Sequence, residues 1–387
     1  MNSLATILIL LLSLLQSVWG EQEISLLFAG DAMQHGPQIN AARLKDGSFD
    51  YSPCFALLED EIKAADYAVV NLECPLGGTP YSGYPAFSAP DAFARQLSDS
   101  GFDLLLTANN HCLDRRDAGL RRTIATLDAM NIAHTGTFLS QQHRREVSPM
   151  IVDVKGLRIA MLSYTYGTNG IPIQGSVVVN CIDRKSIAAD IDAARAQGAQ
   201  AVCVNLHWGI EYRLLPVESQ RELAHWLVEE KGVDLVIGGH PHVIEPMEMR
   251  HSLRWNKDAL LVYSMGNFIS NQTDCNSRGG AMVLVSITTQ GGKIKKLSAN
   301  YRLFFCQKHS KATNSAQGSS NYQLIPSYRP DLIRPDSRQA FISFMDNARS
   351  IFGKHNVAVT EAPDPTAPAT LPSRPYLDGS ITSLLLR

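Results

Sequence analysis

Five apolar runs in this chain each end in a residue able to bind a metal or move a proton. Asp31 follows the run 24–29, with Gly30 between them. Glu73 follows Val69-Val70-Asn71-Leu72, and Asn109-Asn110-His111 follows Leu104-Leu105-Leu106-Thr107. His207 closes Val202-Cys203-Val204-Asn205-Leu206, and His240 and His242 follow Leu235-Val236-Ile237. A lone Asp at such a place is an ordinary turn former or cap, and a lone His an ordinary hydrogen-bonded residue. Five ends offering carboxylate, amide oxygen or imidazole form a set, and those donors suit Zn, Mn or Fe.

The most specific piece is Gly238-Gly239-His240-Pro241-His242. Pro241 is expected to push His240 into extended backbone. Residues two apart in extended chain point to one side, so both imidazoles should face one metal or a close pair. The glycines let backbone approach a bound group. Glu73 has two oxygens with which to bridge two cations, and Asn110 offers a neutral amide oxygen. His111 beside them suits proton donation to a leaving group or stabilisation of developing charge. Asp114 either holds His111 in one tautomer or caps the next helix.

These residues need a scaffold that brings strand ends together. Strands are expected at 24–29, 68–72, 103–107, 158–164, 201–206, 234–237 and 260–263. They are continuous apolar runs, as strands covered on both faces are. Helical patterns fill the gaps, at 90–101, 117–130, 183–197 and 217–230. The alternation defines an α/β protein, and in such folds ligands bind beyond the carboxyl ends of the strands. Two hairpins, 150–154 with 157–164 and 281–289 with 294–303, make the sheets mixed and favour two packed sheets over one open one. Residues 307–334 read as a linker. Residues 335–354 read as a helix opened by Pro335-Asp336-Ser337 and ended by Gly353, and 355–387 as a disordered tail.

The chain has 387 residues and a net charge of -2, with no basic stripe, so nucleic acid is not an expected partner. The first 20 residues read as a signal peptide, with an apolar run too short to span a bilayer comfortably and Ser17-Val18-Trp19-Gly20 at the cleavage region. Export to the periplasm or cell envelope is the consequence. Membrane attachment is expected only if that segment stays uncleaved. The seven cysteines are irregularly spaced and make no disulfide scaffold, although Cys275 and Cys306 are candidates for a pair.

The motifs Gly30-Asp31-Ala32-Met33, Asn71-Leu72-Glu73, Ala108-Asn109-Asn110-His111-Cys112-Leu113-Asp114, His207-Trp208-Gly209-Ile210-Glu211-Tyr212, Gly239-His240-Pro241-His242-Val243 and Tyr263-Ser264-Met265-Gly266-Asn267-Phe268 resemble the bacterial capsule-synthesis family CapA, linked to poly-γ-glutamate. That family is in turn similar to calcineurin-like metallophosphoesterases. The resemblance implies a four-layer α-β-β-α sandwich of two mixed sheets over 21–306. It implies one or two divalent transition metals, with Asp31 and His242 on one, Asn110, His207 and His240 on the other, and Glu73 between. It implies His111 as the catalytic histidine. Glu211, Tyr212 and Asn267 match family motifs and are candidates for substrate contact. Met33 stands where the metallophosphoesterases carry a histidine, which leaves a one-metal site open; His35 is a candidate replacement. Two functions are expected on this basis. One is a hydrolase of an anionic cell-surface polymer or phosphoester. The other is a non-enzymatic factor that guides a polyanionic polymer, working with other capsule synthesis and export proteins.

Overall fold

The computed structural model describes residues 20–308 and 322–367. The segment before residue 20, read above as a signal peptide, and the residues beyond 367, read as a tail, lie outside the described residues. Among those described, one sheet has nine strands. Its parallel half is β1 (Glu21–Ala32), β2 (Tyr67–Leu72), β3 (Leu104–Leu106) and β4 (Ala133–Thr135). A short β5 (Thr137–Phe138) leaves it to pair with β8 (Val178–Val179). The second sheet has six strands. They are β6 (Met150–Val154), β7 (Leu157–Thr165), β9 (Ala201–His207), β10 (Leu235–Gly239), β11 (Ile244–Ser252) and β12 (Lys257–Met265). Strands β7, β9, β10 and β12 run parallel, with β6 and β11 antiparallel at the edges. On the other side of β1 the first sheet continues through antiparallel β14 (Gly279–Gln290), β15 (Lys293–Lys308) and β16 (Tyr322–Pro326). Short β13 (Asn267–Ile269) and β17 (Thr360–Glu361) pair with β1 and β15.

Strand alternation generates the layers. Ile24, Leu26 and Phe28 of β1 face the second sheet and pack with Ile159, Cys203, Ile237 and Val262. Leu27 and Ala29 face the other way, toward Phe55, Phe93 and Leu97 on the outer helices, which include α1 (Asp91–Asp99). Leu127 of α2 (Arg116–Ala129) joins that layer. On the second sheet, Leu162, Val204 and Val236 face outward to α3 (Arg184–Ala196) and α4 (Glu218–His225) through Ile187, Ile191 and Leu223. Both faces of both sheets are therefore covered, which is why the parallel strands read as unbroken apolar runs. The result is the expected four-layer α-β-β-α sandwich.

Both expected hairpins form, through Lys155-Gly156 and Gly291-Gly292. All four turn residues have positive φ, as a two-residue turn that follows strand twist requires. Other segments depart from the sequence expectation. The stretch read as a linker contains β16, whose Leu324 and Ile325 are fully buried against the first sheet. The start of the expected tail contains β17, which pairs with β15. The C-terminal helix α5 (Arg338–His355) runs through Gly353. It stops where Asn356 turns extended and its side-chain oxygen accepts from the Met247 backbone N–H at 2.8 Å. Cys275 and Cys306 are free thiols.

Helix α5 is a wedge as well as a tail element. Phe341, Phe344, Met345, Ala348 and Phe352 recur on one face and belong to the core between the sheets. The Phe352 ring lies 4.4 Å from Tyr301, and the Phe341 ring 5.7 Å from Phe305. Phe344→Ala should therefore cost about 3–5 kcal/mol, measured as a drop in the urea midpoint at unchanged m-value. A loss under about 1 kcal/mol would mean that the helix is only loosely docked.

Candidate metal centre

The candidate residues converge where the carboxyl ends of β1, β2, β9 and β10 meet across the two sheets. A bulge makes this possible. The pairing of β1 with β2 skips Gly30, so that Ala29 pairs with Val70 and Asp31 with Asn71. One skipped residue reverses the face of every residue after it in the strand. Asp31 thus leaves the helix side, where alternation from Leu27 and Ala29 would put it, and turns to the sheet interface. Gly30 is required there, because a Cβ would sit 1.9 Å from the Gly266 carbonyl oxygen. Gly239 has the matching role on β10, where a Cβ would come within 2.8 Å of Asp31 Oδ1.

Asp31, Glu73, Asn110, His207, His240 and His242 are brought together and all are buried. Two groups have ligand atoms within 4.8 Å of one another: Glu73 with His207 and His240, and Asp31 with Glu73 and His242. Glu73 belongs to both. Its Oε1 lies 3.4 Å from His207 Nε2 and 3.9 Å from His242 Nε2. Asn110 Oδ1 lies 2.8 Å from His207 Nε2. Asp31 Oδ2 accepts from the His240 backbone N–H at 3.0 Å and lies 3.5 Å from His242 Nδ1.

The decisive feature is what Glu73 lacks. Both its carboxylate oxygens are buried without a hydrogen-bond partner, and so is Nδ1 of His240. Among the described residues, the ion-pair partners of Asp31 and Glu73 are histidines only. Two neighbouring buried carboxylates with no Lys or Arg are costly unless a cation completes them. The residues fit a divalent metal.

The electrostatics agree. Burial pushes His207 down to about 3 and His240 down to about 2, so both imidazoles are neutral, as ligands must be. Burial and the adjacent Asp31 carboxylate push Glu73 well above the usual carboxylate range. Burial works against a charged His242, yet the Glu73 and Asp31 carboxylates lift it to about 9. For Asp31, burial is outweighed by His242, His207 and Asn71, and its carboxyl stays below the ordinary range. Both shifts favour the protonated forms of Glu73 and His242, whereas metal ligands must be deprotonated. Metal uptake should release protons, so affinity should rise with pH up to about 9, where His242 titrates. Calorimetry in buffers of different ionisation enthalpy checks this; uptake with no proton release would refute it.

His111 Nδ1 is 2.8 Å from Asp114 Oδ2, which also accepts from the Phe87 N–H at 2.9 Å. A carboxylate only accepts, so Nδ1 carries the proton and Nε2 is the exchangeable position. Of the two readings for Asp114, the tautomer-holding one matches this geometry. Burial opposes a charged His111, but Asp114 and Glu73 raise its pKa above the ordinary value.

Several placements differ from expectation. His240 has φ of 95° and His242 of 59°, so the loop is not extended. The Asp31 carboxylate draws the His240 N–H inward, and the two rings sit 6.0 Å apart, one in each ligand group. Met33 is buried in the apolar layer under the outer helices. His35 belongs to neither ligand group. Its Nδ1 accepts from the Asn271 N–H at 3.3 Å, and its ring stands edge-on to Phe87 at 5.1 Å. Asn267 is not on the open face: its Oδ1 is 3.0 Å from His242 Nδ1, and its amide donates to Gln272 and the Ser277 carbonyl. It orients His242. Glu211 and Tyr212 do stand at the exposed mouth.

Three residues were given no role from sequence. Asn71 donates to Asp31 Oδ1 at 2.7 Å, and Asn109 donates to Asn71 Oδ1 at 3.1 Å, making a chain behind the ligands. Tyr166 follows β7 and its ring lies 4.5 Å from His240. It stands at a strand end like the others, and that position was its available signal.

Fold and site together define a four-layer α/β protein with a candidate metal centre at the strand ends. The profile of the bacterial capsule synthesis protein PGA_cap matches residues 25–272, more than half of the chain, and the chain belongs to that family. The PGA biosynthesis protein CapA of Bacillus subtilis (strain 168) is 26% identical over 293 residues, 70% of each chain. The capsule biosynthesis protein CapA of Bacillus anthracis is 26% identical over 286 residues, 70% of this chain and 66% of that one. Among solved structures, the NAD nucleotidase NadN of Haemophilus influenzae superposes with a TM-score of 0.47 at 12% identity; the match covers 89% of this chain and 58% of that one. The calcineurin-like phosphoesterase YfkN of Bacillus subtilis gives 0.39 at 14% identity, covering 85% and 99%.

Proposed function

We propose that this protein is an exported, metal-dependent hydrolase that cleaves a phosphoester or amide linkage in a polymer of the bacterial cell surface. The observation that carries this reading is Glu73, a buried carboxylate with neither oxygen hydrogen-bonded, set between three histidines. Asp31 and His242 would hold one cation, Asn110, His207 and His240 a second, with Glu73 shared. The mixture of imidazole, carboxylate and amide donors suits Zn, Mn or Fe. Such a cation, when bound, would polarise the scissile group and lower the pKa of water.

The chain's own residues supply the rest. Asp31 is fixed by Asn71 and the His240 N–H, so the acidic side of the site is preorganised. Asp114 holds the Nδ1 proton of His111, so the proton that the imidazolium hands to the departing oxygen or nitrogen is the one on Nε2. The two CapA relatives support a surface polymer and, as partners, other capsule synthesis and export proteins. Among the described residues no helix is long and apolar enough to cross a membrane. Strand β1 begins at Glu21, so cleavage after Gly20 would leave the fold whole.

A second reading rests on Met33. With a thioether buried in the apolar layer, the Asp31–His242 side has one imidazole fewer. A one-metal protein that guides an anionic polymer without cleaving it would look the same there. Turnover separates the two. Metal-loaded protein should hydrolyse bis(p-nitrophenyl) phosphate or poly-γ-glutamate, and His111→Ala should not. If neither is cleaved and His111→Ala leaves capsule output intact, the hydrolase reading fails.

A further inference from the structure

We propose that Tyr166 and Tyr212 are the two walls of a substrate subsite that grips a ring, glycosyl or aryl, attached to the group presented to the metal centre. This rests on the hydrolase reading and specifies what it acts on. Both residues are about half exposed, at 47% and 50%, although the histidines their rings border, His207, His240 and His242, are buried. The Tyr166 ring lies 4.5 Å from His240 and runs within 13° of parallel to His207 at 6.5 Å. The Tyr212 ring lies 6.0 Å from His242. One ring thus borders each of the two loop histidines, Tyr166 at His240 and Tyr212 at His242.

Their attachment is to the site itself. The Tyr166 N–H donates to the His207 carbonyl at 2.9 Å, and the Tyr212 N–H to the Pro241 carbonyl at 2.8 Å. Tyr212 has φ of 64°, a left-handed conformation unfavourable for an aromatic residue. Strained backbone that holds an exposed ring beside a reactive cluster is the pattern of a functional position. Its hydroxyl accepts from Gln272 at 3.2 Å, which fixes the ring further. Tyr84 is 74% exposed and leads inward through Phe87, 6.3 Å away, to His111, 4.7 Å beyond it.

Charge narrows the ligand. Glu211 is exposed at the mouth, and among the described residues Asp31, Glu73 and Asp114 have no Lys or Arg ion-pair partner. Those acidic residues offer a polyanion no ion-pair partner. Aromatic walls instead favour the apolar face of a ring, while the metal meets one anionic group. A phosphoester that links ring units satisfies both demands.

The test uses three probes of equal headgroup on the metal-loaded full chain: methylphosphonate, phenylphosphonate and a 1-C-glucosyl phosphonate. Calorimetry should show at least one ring-bearing probe binding tenfold or more tighter than methylphosphonate, and the two ring probes tell aryl from sugar. Tyr166→Ala and Tyr212→Ala should each remove at least fivefold of that advantage at unchanged melting temperature. Tyr166→Phe and Tyr212→Phe should keep it. Equal affinity for all three probes, no binding of any, or a preference that survives both Ala variants would overturn the subsite. The wild-type ratio decides alone if a variant does not fold. Failure of the hydrolase reading appears separately, as absent turnover of bis(p-nitrophenyl) phosphate by protein that still discriminates the probes.

Discussion

Glu73→Gln should move the stability of this protein in opposite directions with and without metal. Glu73 is fully buried, borders Asp31 and has no hydrogen-bond partner for either oxygen. Metal-free, its carboxyl titrates well above the ordinary range because of burial and the Asp31 charge. The native state then binds more protons than the unfolded chain once the pH exceeds the unfolded value. Stability therefore falls as pH rises through and beyond that value. Gln has nearly the same shape and no such dependence. The metal-free variant should melt at or above wild type, with the gap widening from pH 5 to pH 8. With metal the order reverses. A ligand at one hundred times its dissociation constant stabilises by about 2.7 kcal/mol, and Glu73→Gln should lose most of that gain. Melting curves across pH, with and without Zn or Mn, check both halves. Parallel curves for the two proteins would mean that Glu73 touches no metal.

His111 gives the second large effect, on rate rather than binding. It belongs to neither ligand group and its Nδ1 is committed to Asp114. His111→Ala should lower kcat by about 10²–10⁴-fold while metal content stays unchanged. Asp114→Asn should cost about 10–100-fold, because an amide no longer imposes one tautomer. The pH profile carries a further sign. Asp114 and Glu73 raise the His111 pKa against the effect of burial. A step that needs protonated His111 is lost as pH rises through that pKa. Asp114→Asn should therefore move the alkaline limb to lower pH. If metal is lost along with activity in His111→Ala, His111 is a ligand and this division of labour is wrong.

Much of the scaffold is legible in the sequence because both sheets are covered on both faces. That burial makes the parallel strands continuous apolar runs, and the runs end where the ligands begin. The six ligand candidates could be found because carboxylate, amide and imidazole side chains stand out after such runs. The bulge at Gly30 could not, since it is a property of the pairing with β2 and not of β1 alone. The left-handed backbone at His240 was hidden for a similar reason: the Pro241 preference is local, and the Asp31 contact that overrides it comes from 209 residues away. Tyr166 escaped because its strand end offers a ring and no ligand atom. Helix α5 was plain from its spacing, but nothing in that spacing says that it wedges between two sheets.

The most direct test is the metal content of the purified protein, measured by mass spectrometry after extended dialysis. One to two equivalents of Zn, Mn or Fe per chain are expected, falling to near zero in Glu73→Gln. A chain that emerges folded with under about a tenth of an equivalent, and does not take metal up on addition, would contradict a metal centre at Glu73.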